Sequence, residues 1–137
     1  MYIFSGCFFT VHAMNDNNKL YSYSYLKADD ILHFKLNIDK VDKDTAASIY
    51  DTYSKEADLP NFSYFIMDAS RITEISDPAI GILMKAMAIM KKTNGYLVMV
   101  MTEEFLQEIM IAHPEMFNYI AVFHTIDDAK AFIKRSR

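Results

Sequence analysis

From Ile31 to Ile38, the apolar residues Leu32, Phe34, Leu36 and Ile38 alternate with Ile31, His33, Lys35 and Asn37. A period of two predicts a strand with one wetter face, to which His33 belongs. Leu20 to Tyr25 alternates tyrosines with serines in the same way, and Asp29-Asp30 stands between the two runs. The economical arrangement is a hairpin, with Tyr21, Tyr23 and Tyr25 as packing and rim residues. The period then changes. Ala46, Ile49, Tyr50 and Tyr53 recur at intervals of three and four behind Asp42 and Asp44, either of which can cap a helix. Leu59-Pro60-Asn61 stops that pattern, and Phe62 to Met67 is a short apolar run ending at Asp68 that reads as a central strand.

Ser76-Asp77-Pro78 opens a second helix: Asp77 can cap the free amides, and Pro78 sits where a missing N–H costs nothing. From Pro78 to Met90 the only polar side chain is Lys85. A surface helix needs a wider polar face, so this one is covered on two sides or presents apolar surface to a partner or ligand. Gly81, inside it, is expected to permit close packing. Lys91 to Gly95 supply a helix stop, and Tyr96 to Met101 a strand. Thr102 caps a third helix with Phe105, Leu106, Ile109 and Met110 as its inward stripe, which His113-Pro114 ends. Tyr119 to Phe123 is another short strand. Thr125 and Asp128 have capping-box spacing ahead of a terminal helix carrying Ala129, Phe132 and Ile133.

Strand and helix thus alternate from Phe62 onward, which implies parallel strands joined by right-handed crossovers, while the hairpin before them makes the sheet mixed. The expected fold is a single α/β domain with a mixed, mostly parallel sheet of about four to six strands and about four helices. Residues 1–18 are an N-terminal extension or an additional strand, and 19–137 form the domain. The 137 residues are 52% hydrophobic and carry a formal charge of -4, with 14 basic and 18 acidic side chains. That supports one core and removes the basic field of a general nucleic-acid or membrane-surface binder. Cys7 is the only cysteine, so no internal disulfide exists and a reducing cytoplasm is the expected location. The apolar run from Met1 to Ala13 is too short to span a bilayer and lacks a basic flank.

The stretch Phe65-Ile66-Met67-Asp68-Ala69-Ser70-Arg71-Ile72-Thr73-Glu74-Ile75-Ser76-Asp77-Pro78-Ala79-Ile80-Gly81-Ile82-Leu83 resembles the central signature of STAS domains, the family that includes bacterial anti-sigma-factor antagonists. Asp68 matches the aspartate that ends the family's strand, and Ser70 to Thr73 its short loop. The likeness extends through Gly95 to Val100 and, more loosely, back to Ile31. It implies a STAS-like, anti-sigma-factor-antagonist-like fold. The departures lie in the Asp-Ser-Ser/Thr-Gly motif: Ser76 takes the place of the aspartate, Asp77 that of the first serine, Pro78 that of the phosphorylated hydroxyl and Ala79 that of the glycine. No phosphorylation is possible at Pro78, and Ser76, two positions away, is only a lesser candidate.

Chemistry is otherwise sparse. Asp68 at a strand end more economically accepts loop amides than performs catalysis, and with Glu74 and Asp77 it defines no metal site. His12, His33, His113 and His124 have no ligand spacing, and His113 reads as a helix-end residue. Gly6, Gly81 and Gly95 are isolated, which argues against a phosphate loop. The expectation is a non-enzymatic, regulatory protein-binding module without metal or cofactor. Its partner is a protein such as an anti-sigma factor or a kinase-like regulator, and neither nucleic acid nor membrane is expected. Its partner loop comprises Asp68, Ser70, Ser76, Asp77 and Pro78. Ile80, Met84 and Met87 form a candidate interaction helix, since ten methionines can serve as gap-fillers or as an adaptable surface. Self-association through the N-terminal strand stays open. The alternative is a small apolar-ligand or lipid-binding STAS-like protein with a pocket beneath the methionine-rich helix; an enzyme assembled from distant residues is a third.

Overall fold

The computed structural model describes residues 11–14, 20–89, 97–118 and 120–136. Strand β1 (Val11–Met14) leads into β2 (Tyr21–Leu26) and β3 (Ile31–Leu36), with β4 (Lys40–Val41), α1 (Lys43–Ser54) and β5 (Tyr64–Asp68) following. Then come β6 (Glu74–Ile75), α2 (Asp77–Ile89), β7 (Leu97–Val100), α3 (Glu103–Ala112), a 3-10 turn at Pro114–Asn118, β8 (Ile120–Phe123) and α4 (Ile126–Arg135). Cys7, the predicted stop at 91–95 and the side chain of Met87 lie outside the described residues.

The main sheet has six strands in the order β1-β2-β3-β5-β7-β8, antiparallel across the first two pairs and parallel across the last three. The hairpin turns at Asp29-Asp30 as expected, with Asp30 at a φ of 58°. Short acidic residues tolerate that left-handed conformation better than most. Asp30 also accepts hydrogen bonds from the Tyr25 hydroxyl (2.6 Å) and the Ser63 hydroxyl (2.5 Å).

From β3 each parallel strand is laid down on the same side of its predecessor, so right-handed crossovers place all three connecting helices on one face. That face holds the larger core. Phe34 lies in it between Tyr21 (ring centroids 4.7 Å apart) and Phe65 (5.9 Å), with Tyr53 of α1 edge-on at 5.3 Å. Only α4, after the last strand, can reach the other face. There Ala129 and Ile133 close over Ile31, Ile66, Val98 and Val100. Lys134 and Lys130 reach back to Asp29 at 3.4 and 3.9 Å.

The caps at Thr102 and Thr125 fall where the sequence put them, and of Asp42 and Asp44 it is Asp42 that caps α1; each capping side chain accepts an amide three residues on. A further element had no sequence signal: β4 and β6 pair in parallel, Lys40 opposite Glu74 and Val41 opposite Ile75, as a two-stranded clip apart from the main sheet. The packing role expected of Gly81 is overturned. It is exposed, and a β-carbon there would meet nothing within 4 Å.

Candidate functional site

Where β5 ends, the chain turns through 69–76 into α2, and several independent contacts hold this corner. The Ala69 amide donates to the Val100 carbonyl at 2.7 Å, fastening the start of the turn to β7. Further along, the Thr73 and Glu74 amides both donate to the Asp39 carbonyl (2.7 and 3.2 Å), and the Ser76 amide donates to Val41 (3.0 Å). The clip is therefore what shapes the loop.

Asp68 is buried, with 6% of its surface exposed. It accepts the Ser70 amide (3.0 Å) and the Ser70 hydroxyl (2.6 Å), and its other oxygen lies 3.4 Å from His33 Nε2. Burial pushes this carboxyl up, but His33 and the two Ser70 donors outweigh it and hold it at about 2. The loop-binding role expected of Asp68 is thus observed. His33 lies on the wetter face of β3, as expected, and is half-buried there beside Asp68, the last residue of the neighbouring parallel strand. Thirty-five positions separate the two, too far for any local pattern. The order of the three groups also matters chemically. Ser70 gives its hydrogen to a carboxylate held at about 2, which is a weak base for activating a nucleophile.

At the start of α2 the cap is Ser76, not Asp77. Ser76 Oγ accepts the Ala79 amide at 3.3 Å, and its carbonyl takes the first helical bond, from Ile80 at 3.1 Å. A serine hydroxyl reaches the third amide as well as a carboxylate does, so Asp77 is displaced into the first turn and turns outward. Its side chain is 86% exposed, and Oδ1 lies 3.0 Å from Nε2 of His113, the residue that caps the end of α3. Glu115 approaches the other nitrogen of that ring at 3.6 Å. His113 is a helix-end residue as expected, and it also ties α3 to the corner.

Arg71, Thr73, Glu74, Asp77 and Pro78 are exposed, Ser70 and Ser76 half-exposed. The corner thus shows Asp77 and Pro78 outward while Asp68 anchors it from beneath. On the interaction helix Ile80 is buried at 3% and belongs to the core, and Met84 is half-buried against that core. Neither offers a free apolar face; the exposed outer positions of α2's first turns are Asp77, Pro78, Gly81 and Lys85.

Beneath the corner, between α1, α2 and the sheet, lies a cavity of about 70 Å³. Its wall includes Ile49 and Tyr50 of α1, Ile75 of the clip, Ala79 and Leu83 of α2, and Met67 of β5.

Among the described residues no group of three or more His, Cys, Asp or Glu side chains is placed to hold a metal ion, and no helix is long and apolar enough to cross a membrane. No protein-family model and no curated protein matches the sequence. In structure the chain is similar to an uncharacterized protein from the DUF3478 family with a SpoIIAA-like fold, from Shewanella loihica PV-4. The TM-score is 0.45 and the identity 13%, over 88% of this chain and 92% of that one.

Proposed function

We propose that the protein is a non-enzymatic regulatory module of the STAS-like, anti-sigma-factor-antagonist-like kind, acting in the cytoplasm. It binds a regulatory protein, an anti-sigma factor or kinase-like partner, through the corner from Ser70 to Pro78. The observation that carries this reading is the outward-facing pair Asp77-Pro78 on a loop held from three directions: by β7 through Ala69, by the clip through Thr73, Glu74 and Ser76, and by α3 through His113. A surface fixed in this way is ordered before a partner arrives, so little ordering entropy is lost on docking.

Pro78 has no hydroxyl, and the Ser76 hydroxyl is engaged with the Ala79 amide as a helix cap. The corner is therefore an unswitched version of a regulatory loop, with Asp77 providing a standing negative charge one position before the one that receives a phosphate in the resembled family. The test is affinity capture with wild type, Asp77→Arg and, as a control on the far helix, Arg135→Glu, followed by binding measurements with the purified captured protein. We expect Asp77→Arg to weaken one specific partner at least tenfold, as loss of a central charged contact does, while Arg135→Glu leaves it intact. Equal binding by all three proteins removes the corner from the interface. Stoichiometric phosphate on Ser76 in cells overturns the unswitched reading.

A further inference from the structure

We infer that the cavity beneath the corner is a binding site for a short, uncharged aliphatic molecule, and that its occupant sets the shape of the partner surface above it. The inference deepens the reading of the corner as a partner surface and rests on it.

The ligand class follows from wall and volume. The space of about 70 Å³ exceeds the roughly 10–15 Å³ that a single water needs, yet the side chains around it are aliphatic, thioether or aromatic. A buried water needs two to four polar partners, which this wall does not supply. An engineered apolar cavity that accepts benzene measures about 150 Å³, so this one suits a chain of a few carbons and is too small for a lipid acyl tail.

The regulatory role follows from which elements form the wall. Ala69, Ile72 and Ile75 come from the corner, Val41 from the other clip strand, Ala46 from α1 and Ala79 from the first turn of α2. Both strands of the clip therefore face the same space, and the clip's hydrogen bonds to Asp39 and Val41 are what shape the loop. A molecule that fills the space contacts α1, both clip strands and α2 together. It strengthens their mutual packing in proportion to its affinity for the closed arrangement.

The test uses xenon as an atomic probe in pressurised crystals and butan-1-ol as an aliphatic probe in solution. We expect xenon density between Ile49, Met67 and Ala79. We also expect butan-1-ol to shift the amides of Ala69, Ile72 and Ala79 saturably. At about ten times its Kd, it should slow hydrogen exchange of the Thr73, Glu74 and Ser76 amides about tenfold. Ala46→Leu, which adds a side chain to the wall, should weaken both probes at least tenfold; Ala79→Val serves the same purpose if the first variant does not fold. An absence of xenon density there, or butan-1-ol shifts that persist in the filled variants, overturns the site. Probe binding with unchanged exchange at Thr73, Glu74 and Ser76 overturns the regulation. None of these measurements involves the partner, so a cavity that stays empty leaves the corner's partner reading standing, and lost capture specificity removes that reading separately.

Discussion

Asp68 keeps a charge in a place where almost none of its surface meets water, because two donors from Ser70 and the ring of His33 replace the solvent it gave up. Its folded value, about 2, lies below the ordinary carboxyl value, so the contribution to stability is fully present above about pH 4 and is lost as pH falls through about 2. Asp68→Asn should therefore flatten the stability-pH curve between pH 4 and pH 2, measured by urea unfolding; coincident wild-type and variant curves would contradict the assignment. Eight residues on, the two candidates for capping α2 separate cleanly. Ser76→Ala removes an acceptor from the Ala79 amide and should cost about 1 kcal/mol. Asp77→Asn keeps the cap and should change stability by less than about 0.5 kcal/mol while weakening the partner. A larger stability loss from the Asp77 change would return the cap to Asp77.

Within α2, Gly81 has the backbone freedom of a turn residue but sits in a regular helix with open space where a side chain would be. Gly81→Ala should stabilise the protein by about 1 kcal/mol, read as a higher urea midpoint with unchanged slope. If the midpoint falls, the position is tighter than the geometry shows. The sequence could not reveal this, because an apolar helix with one glycine looks the same whether the glycine is packed or bare. What it did reveal follows a consistent physical rule. Asp42, Thr102 and Thr125 were legible as caps because a cap and the amide it binds lie three residues apart. The alternation from Ile31 to Leu36 was legible because one face of β3 meets the aromatic core. The clip was not legible: two residues per strand carry no period, and its pairing joins segments more than thirty positions apart. The His33–Asp68 contact and the Asp77–His113 contact were hidden for the same reason.

At the scale of the molecule, the sheet is covered unequally. Three helices share one face and α4 alone guards the other, with Ile133 only 2% exposed beneath it. Ile133→Ala should cost about 2–5 kcal/mol in denaturant unfolding, since no second helix can settle into the gap. A loss under about 1 kcal/mol would show that the surrounding side chains collapse into it. The crowded face is also the one with the cavity, which lies where α1, α2 and the clip converge on the sheet. The two ends of that clip have one more consequence. Asp39 and Thr73 meet only after β4, α1 and β5 have been threaded between them, and closing so long an intervening loop is an unfavourable step on its own. If the corner is the partner surface proposed above, a growing polypeptide on the ribosome that has not yet emerged past Ser76 offers a regulator nothing to grip.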